Sequence, residues 1–255
     1  MAYQIRNAEP RNLLPEIDLL PEIQHRGSKL DVHLFGPNTY QGNIRDMQKK
    51  GFHSSQLPNI SFSPATTSES ISIASHGFKN FARPKIFNQS WLQEGYIVRA
   101  QEGVYANPPK DSQGKTITEE QGPQGLKSFL KKDKKVNGIY LMDNDFGFAP
   151  DESFRRGVQD TGDFLEGGLA RVLEHTSEKE AEVFGKIASP KFYKRGVDVY
   201  GFDEAAQPVL GVLGLYSDRD LDAGRLIVNG SFWYGLNYNG FAFGVLRKTG
   251  EASHA

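Results

Sequence analysis

Glu178, Glu180 and Glu182 alternate with other residues in the run Ser177-Glu178-Lys179-Glu180-Ala181-Glu182-Val183-Phe184-Gly185-Lys186-Ile187. Successive side chains of an extended segment point to opposite faces, so three carboxylates at this spacing would share one face. Like charges gathered there are costly unless a cationic or electron-poor group meets them. By themselves the glutamates also describe a solvated helix start or strand edge, because Glu and Lys are mostly surface residues. Four other groups can do chemistry. His33 alternates with Asp31 and Phe35 on a predicted strand, and its ring can bond a hydroxyl. Ser61 and Ser63 flank Phe62 on another, with both hydroxyls facing the same way. Asp143 and Asp145 close an apolar run at i, i+2, a spacing that can hold a divalent metal and a sugar-nucleotide diphosphate and that is also frequent in turns. Gly167-Gly168 falls within a helical pattern and lacks the strand–turn–helix setting of a dinucleotide fingerprint.

The elements that must position these residues follow from patterning. A chain of 255 residues is long enough for a real core. Its 27 glycines and 11% aromatics suit a β-rich fold with many tight turns better than a helical bundle. A net charge of -1 gives no electrostatic footprint for a nucleic-acid partner. The lack of cysteine excludes disulfides, thiolate metal sites and a Cys nucleophile. Residues 1–12 are polar, without the apolar run of a signal peptide, and no stretch approaches membrane-spanning length.

Residues 13–24 repeat a Leu-Leu-Pro-Glu-Ile unit, which predicts a short helix after each proline. A strand is expected over 30–36, a helix over 41–50 with Ile44 and Met47 inward and Gly51 as its stop, a strand over 59–64, and a helix over 66–76 ended by Gly77. A strand over 95–105 precedes a long exposed loop over 107–125 and a basic helix over 126–132. A strand over 138–142 follows, then a helix opened by Asp151 and another with the stripe Leu165, Leu169 and Val172. The remainder reads as strands over 183–187, 197–202, 209–216, 225–228, 231–236 and 241–246, with Asn229-Gly230 and Asn239-Gly240 as hairpin turns. The fold class is α+β.

In order, these pieces resemble the catalytic domains of bacterial mono-ADP-ribosyltransferase toxins of the cholera and pertussis type. The resemblance runs through Val32-His33-Leu34, Lys50-Gly51-Phe52, Ile60-Ser61-Phe62-Ser63 and Gly95-Tyr96-Ile97-Val98-Arg99-Ala100. It then takes in Gly167-Gly168-Leu169-Ala170, Glu178-Lys179-Glu180, Gly185-Lys186-Ile187 and Gly196-Val197-Asp198-Val199-Tyr200. It covers roughly residues 30–200. Where the cholera type carries an arginine on its first strand this chain has His33, which is similar to the first-strand histidine of the diphtheria-type branch. Arg26 is the other candidate for that place. Counting seven residues back from Ile187, as the family does, selects Glu180 as catalytic and Glu178 as its partner, with Glu182 the runner-up.

The resemblance implies a split β-sandwich of two small sheets around an NAD cleft. An N-terminal extension would occupy 1–29, the catalytic domain 30–202 with an insertion at 107–160, and a C-terminal β-hairpin extension 203–255 packed on the same domain. NAD+ would be the substrate, with no metal. Glu180 would stabilise the ribosyl cation and Glu178 would orient or deprotonate the acceptor. Ser61 would hold Glu180 and its strand through a hydrogen bond, with Ser63 secondary, His33 would bond a ribose hydroxyl, and the backbone at Leu34 would hold the nicotinamide amide. The acceptor would be a host protein, such as the small GTPases, actin or ubiquitin that family members modify. The expected setting is a monomeric effector secreted by a leaderless route into a host cytosol, away from membrane and nucleic acid. Two rival readings remain: a metal-dependent sugar-nucleotide transferase using Asp143 and Asp145, and a non-catalytic interaction module whose aromatic hairpins around 231–243 form the contact surface.

Overall fold

The elements of the computed structural model cover residues 20–49, 60–80, 92–109, 122–203, 205–217, 224–233 and 240–248, which are the residues described below. The first part of the chain alternates strands and helices: β1 (Leu20–His25), β2 (Ser28–Asn38), α1 (Tyr40–Lys49), β3 (Ile60–Pro64), α2 (Thr67–Asn80), β4 (Leu92–Ala100) and β5 (Gly103–Ala106). The middle holds short elements: α3 (Gly122–Lys127), β6 (Lys135–Val136), β7 (Ile139–Leu141), β8 (Gly147–Pro150), β9 (Gly157–Gln159), α4 (Thr161–Glu166), α5 (Gly168–Glu174) and α6 (Glu182–Ile187). Four strands end it: β10 (Val197–Tyr200), β11 (Val209–Ser217), β12 (Leu226–Trp233) and β13 (Gly240–Lys248). The architecture is α+β.

The strands join in one ladder that forks. One edge of β4 is taken by antiparallel β11 along Leu92–Arg99. Its other edge is shared, because parallel β13 pairs with Leu92 and Gln93 while antiparallel β5 pairs from Ile97 onward. Beyond its short contact with β4, β13 turns away to pair with β3, and β2 holds its opposite edge. One wing is therefore β1-β2-β13-β3, and the other runs from β4 outward to β6 on one side and to β9 on the other. Between the wings lies Gly95, at φ +107°. A Cβ there would come within 3.2 Å of the Thr67 backbone nitrogen, so the start of α2 docks against a position that only glycine fills without strain.

Period-2 alternation divides the β1-β2-β13-β3 wing into two faces. Val32 and Val245 are buried in the main core with Ile71 and Ile73 of α2. Phe35, Phe62 and Ala242 face the opposite side and are covered by Met47 and Ile44 of α1, the i, i+3 pair expected to turn inward. A third cluster joins Tyr105, Phe146 and Phe148 to Leu126 of α3.

Several sequence expectations are corrected here. Leu20–His25 is a strand and not a helix after proline, because pairing with β2 outweighs the local proline signal; residues 13–19 lie outside the described residues, as do Gly51, Phe52 and most of the loop over 107–125. The strand expected over 95–105 is a hairpin, β4 and β5, and α2 runs past Gly77 to Asn80. A helix ends at Lys127 where a basic helix was expected to begin, and Asp151 opens only a single 3-10 turn. The stripe Leu165, Leu169 and Val172 is split between α4 and α5 at Gly167.

Asn229-Gly230 is no hairpin turn. It lies within β12, where the register against β11 slips and the Phe202 ring sits 2.7 Å from where a Cβ on Gly230 would stand. Residues 183–187 form α6 and not a strand. Residues 203–255 supply β11, β12 and β13, of which β11 pairs with β4 and β13 with β2, β3 and β4, while β8 and β9 pair with β5 and β10.

Candidate functional site

The glutamate run occupies the connection between α5 and α6, and both ends of that connection are tied down. Helix α5 ends at His175, which takes left-handed dihedrals (φ 55°, ψ 51°). The His175 N–H donates to Val172 O at 3.0 Å and the Thr176 N–H to Arg171 O at 2.9 Å, the paired bonds of a Schellman ending with histidine in the usual place of glycine. At the far end the Ala181 N–H donates to Leu165 O at 3.0 Å. Glu174 reaches across so that its Oε2 accepts the Phe184 N–H of α6 at 2.7 Å. Asn137, at the β6–β7 turn, donates to Ser177 O at 3.2 Å. Between these anchors Glu178, Lys179 and Glu180 form an exposed bend. Glu178 and Glu180 thus stand on a loop and not on a strand face, and Glu182 is the first residue of α6.

Beside this loop, in the fork of the sheet, lies a polar cluster that sequence reasoning met only in fragments. Thr66 and Glu69 form a reciprocal cap at the start of α2: the Thr66 N–H donates to Glu69 Oε2 at 2.9 Å and the Glu69 N–H to Thr66 Oγ1 at 3.3 Å. The Asp145 carboxylate is directed at the same helix end. Its Oδ2 accepts from the hydroxyls of Thr66 at 2.6 Å and Ser68 at 3.0 Å, and its Oδ1 is paired with Arg26 Nη1. The Asn107 amide donates to Asp145 O at 3.1 Å and to Thr67 Oγ1 at 2.8 Å, joining the end of β5 to the cluster. Arg26 Nη2 donates to Glu174 O at 3.0 Å and His175 O at 2.7 Å, the carbonyls at the end of α5. A carboxylate at a helix N-terminus and a guanidinium at a helix C-terminus each complement the local dipole.

Burial tends to raise the pKa of Asp145. The Thr66 hydroxyl, Arg26, His175 and the Ser68 hydroxyl more than offset it and hold the carboxyl below its ordinary value. Burial, aided by Arg26, lowers the pKa of His175 against the opposing pull of Asp145. Its Nδ1 finds no hydrogen-bond partner. Burial raises the pKa of Glu174 despite the N–H groups of Phe184 and Val183.

The expected site residues are only partly brought together. The glutamate loop and α2 lie on one side of the β1-β2-β13-β3 wing, since α2 packs on the face that carries Val32 and Val245. Ser63 pairs with Val245, and so stands on that face; Leu34 packs into the same core. Ser61 pairs with Arg247 two residues earlier on the strand. His33 is on the other face, edge-on to Phe35 with ring centroids 4.7 Å apart and 6.0 Å from Phe62. It is therefore separated from the glutamates by the sheet. A shallow concavity of about 230 Å³ on the α1 side is lined by Gln41, Ile44, Arg45 and Tyr96 and includes none of the expected site residues.

Asp143 and Asp145 diverge. Asn144 and Asp145 both have positive φ, which turns Asp145 inward to Arg26 and α2 while exposed Asp143 lies 3.6 Å from Lys134 Nζ. The two carboxylates do not converge as the sugar-nucleotide reading requires. Among the described residues, no group of three or more His, Asp or Glu is arranged to hold a metal ion. No helix among them is long and apolar enough to cross a membrane. Of the aromatic hairpin over 231–243, Tyr234 and Tyr238 lie outside the described residues. Compared with protein-family models, curated proteins and solved structures, the chain finds no match.

Two signals in the sequence could have pointed to the cluster: the Thr66-x-x-Glu69 capping box before an apolar run, and Gly27 after Arg26 as a break before the strand over 30–36. What the chain order could not give was that two such turns meet.

Proposed function

We propose that the chain is a mono-ADP-ribosyltransferase that cleaves NAD+ at the nicotinamide–ribose bond and passes ADP-ribose to a side chain of a host protein. The observation that supports this best is the Glu178–Glu180 pair, exposed on a loop anchored at both ends beside the fork of the sheet. Exposed carboxylates on an anchored loop can meet a bound substrate without paying a large ordering cost. The order β2, α1, β3, α2, β4 also follows the order of motifs on which the resemblance rests.

Loss of nicotinamide breaks the C1′–N bond, takes the electron pair with the leaving group and leaves positive charge on the ribose, as in glycoside cleavage. Glu180 holds the 2′-hydroxyl and stabilises that charge more than it stabilises the neutral ground state. Glu178 takes the proton of the acceptor side chain as it attacks C1′. Ser63 lies on the wing face that α2 covers and supports the loop side of the cleft. His33, behind the sheet, is assigned no contact with the reacting atoms. Incubation with labelled NAD+ and a eukaryotic lysate should label a protein band and release nicotinamide. Glu180→Gln should lower kcat by roughly 10²–10³-fold with little change in NAD+ affinity. Full activity in that variant, or no nicotinamide release by the wild type, would sink the reading.

A further inference from the structure

We propose that Arg26 and Asp145 are positioning residues whose ion pair fastens the glutamate loop to the N-terminus of α2; the consequence for catalysis rests on the function proposed above. Both residues sit at hairpin tips in left-handed backbone, Arg26 at φ 46° between β1 and β2 and Asp145 at φ 57° between β7 and β8. Neither is glycine, and such a conformation persists where the surrounding contacts over-determine it. Here they do. The planar guanidinium uses one arm on the Asp145 carboxylate and the other on the carbonyls of Glu174 and His175. Asp145 is held in turn by Thr66 and Ser68 at the start of α2, which follows β3 and its Ser63.

The result is a continuous set of hydrogen bonds from the β3–α2 corner to Glu174, the last residue of α5, and to His175, three positions before Glu178. Its bonds are directed and fix how the corner and the loop sit against each other, whereas apolar packing permits sliding. Lysine at position 26 would keep the charge but cannot span a carboxylate and two carbonyls in one plane. Asparagine at 145 would keep the shape and lose the charge.

The test compares the full-length wild type with Arg26→Lys, Asp145→Asn, the double variant and Ser68→Ala. It reads amide hydrogen exchange over residues 176–181 together with kcat and KM for NAD+. The proposal expects exchange in the loop to quicken by about tenfold in either single variant, equivalent to about 1.4 kcal/mol of local opening. It expects kcat to fall by up to roughly 10²-fold with KM nearly unchanged. The double variant should be no worse than the poorer single, because one interaction is removed twice. Ser68→Ala, which weakens only the Asp145 side, should give a smaller shift of the same kind and keeps the test open if Asp145→Asn does not fold.

Unchanged loop exchange in every folded variant would overturn the proposal. So would quickened exchange with unchanged kcat, since the latch would then exist without positioning anything. If the wild type cleaves no NAD+, the function proposed above fails by itself, and loop exchange alone decides whether the latch is real.

Discussion

Replacing Phe184 and, separately, Val183 by alanine decides how the glutamate loop is anchored. In α6, Phe184 and Ile187 at i, i+3 face the core and both have no exposed surface, whereas Val183 is half-buried at the helix side. The Phe184 ring meets Phe164 edge-on with centroids 5.0 Å apart, a favoured aromatic geometry. Phe184→Ala should therefore cost about 3–5 kcal/mol, the range for a large buried aromatic in a core that cannot collapse around the gap. Val183→Ala removes partly solvated methyl groups and should cost about 1 kcal/mol. Against a total stability of about 5–15 kcal/mol, the first change is severe and the second mild. Were the segment the alternating strand that its sequence suggests, Val183 and Ile187 would face inward and Phe184 would turn out with Lys186. Urea unfolding followed by circular dichroism measures both costs from the shift in midpoint at constant slope. A Val183→Ala cost exceeding that of Phe184→Ala would refute the helix, and with it the Glu174 contact that closes the loop.

Three further predictions concern the frame of the site. Gly168→Ala should destabilise, although alanine is ordinarily the better helix former by about 1 kcal/mol, because its Cβ would stand 2.7 Å from Ser153 Cβ and 2.2 Å from Ser153 Oγ. A melting scan should show the loss, and Ser153→Gly in the same chain should recover part of it. Glu174→Gln should be nearly neutral at pH 7, since burial already disfavours the charged carboxyl and an amide oxygen can still accept the Phe184 N–H; Glu174→Ala should cost about 1–2 kcal/mol by leaving that N–H without its cap. The shifts of His175 and Asp145 lower stability on acidification, while the raised pKa of Glu174 acts in the opposite sense. Unfolded His175 takes up a proton near its ordinary value of about 6.5, below which the buried folded ring resists protonation, so stability declines as the pH drops through that value. The stability contributed by Asp145 is present above its unfolded value of about 3.9 and is lost as the pH falls through its lower folded value. Urea midpoints at pH 7.5, 6.5 and 5.5 should decline in the wild type and flatten in His175→Asn, which tolerates the same backbone; equal declines in both would place the titrating group elsewhere.

Local signals determined much of the frame. Alternation marked β2 and β3, the Ile44–Met47 spacing marked the inward side of α1, and a helical stretch from Thr66 marked α2, because these depend on neighbours within a turn or a strand. The exposure of Glu178 and Glu180 also agrees with what their composition suggests. Only tertiary structure decided the rest. Residues 183–187 alternate well enough for a strand, but the Glu174 carboxylate, nine residues before Val183, accepts the Phe184 N–H, and Phe164 meets the Phe184 ring, so it is a helix. His33 and Ser63 each have a face that period-2 alternation defines, yet alternation cannot say which face meets α2. That was settled by β13, which entered between their strands from the far end of the chain and set the register on both sides. The pairing of Arg26 with Asp145, 119 residues apart, arises the same way: two turns with unremarkable local sequences meet because the ladder brings their hairpins to one fork.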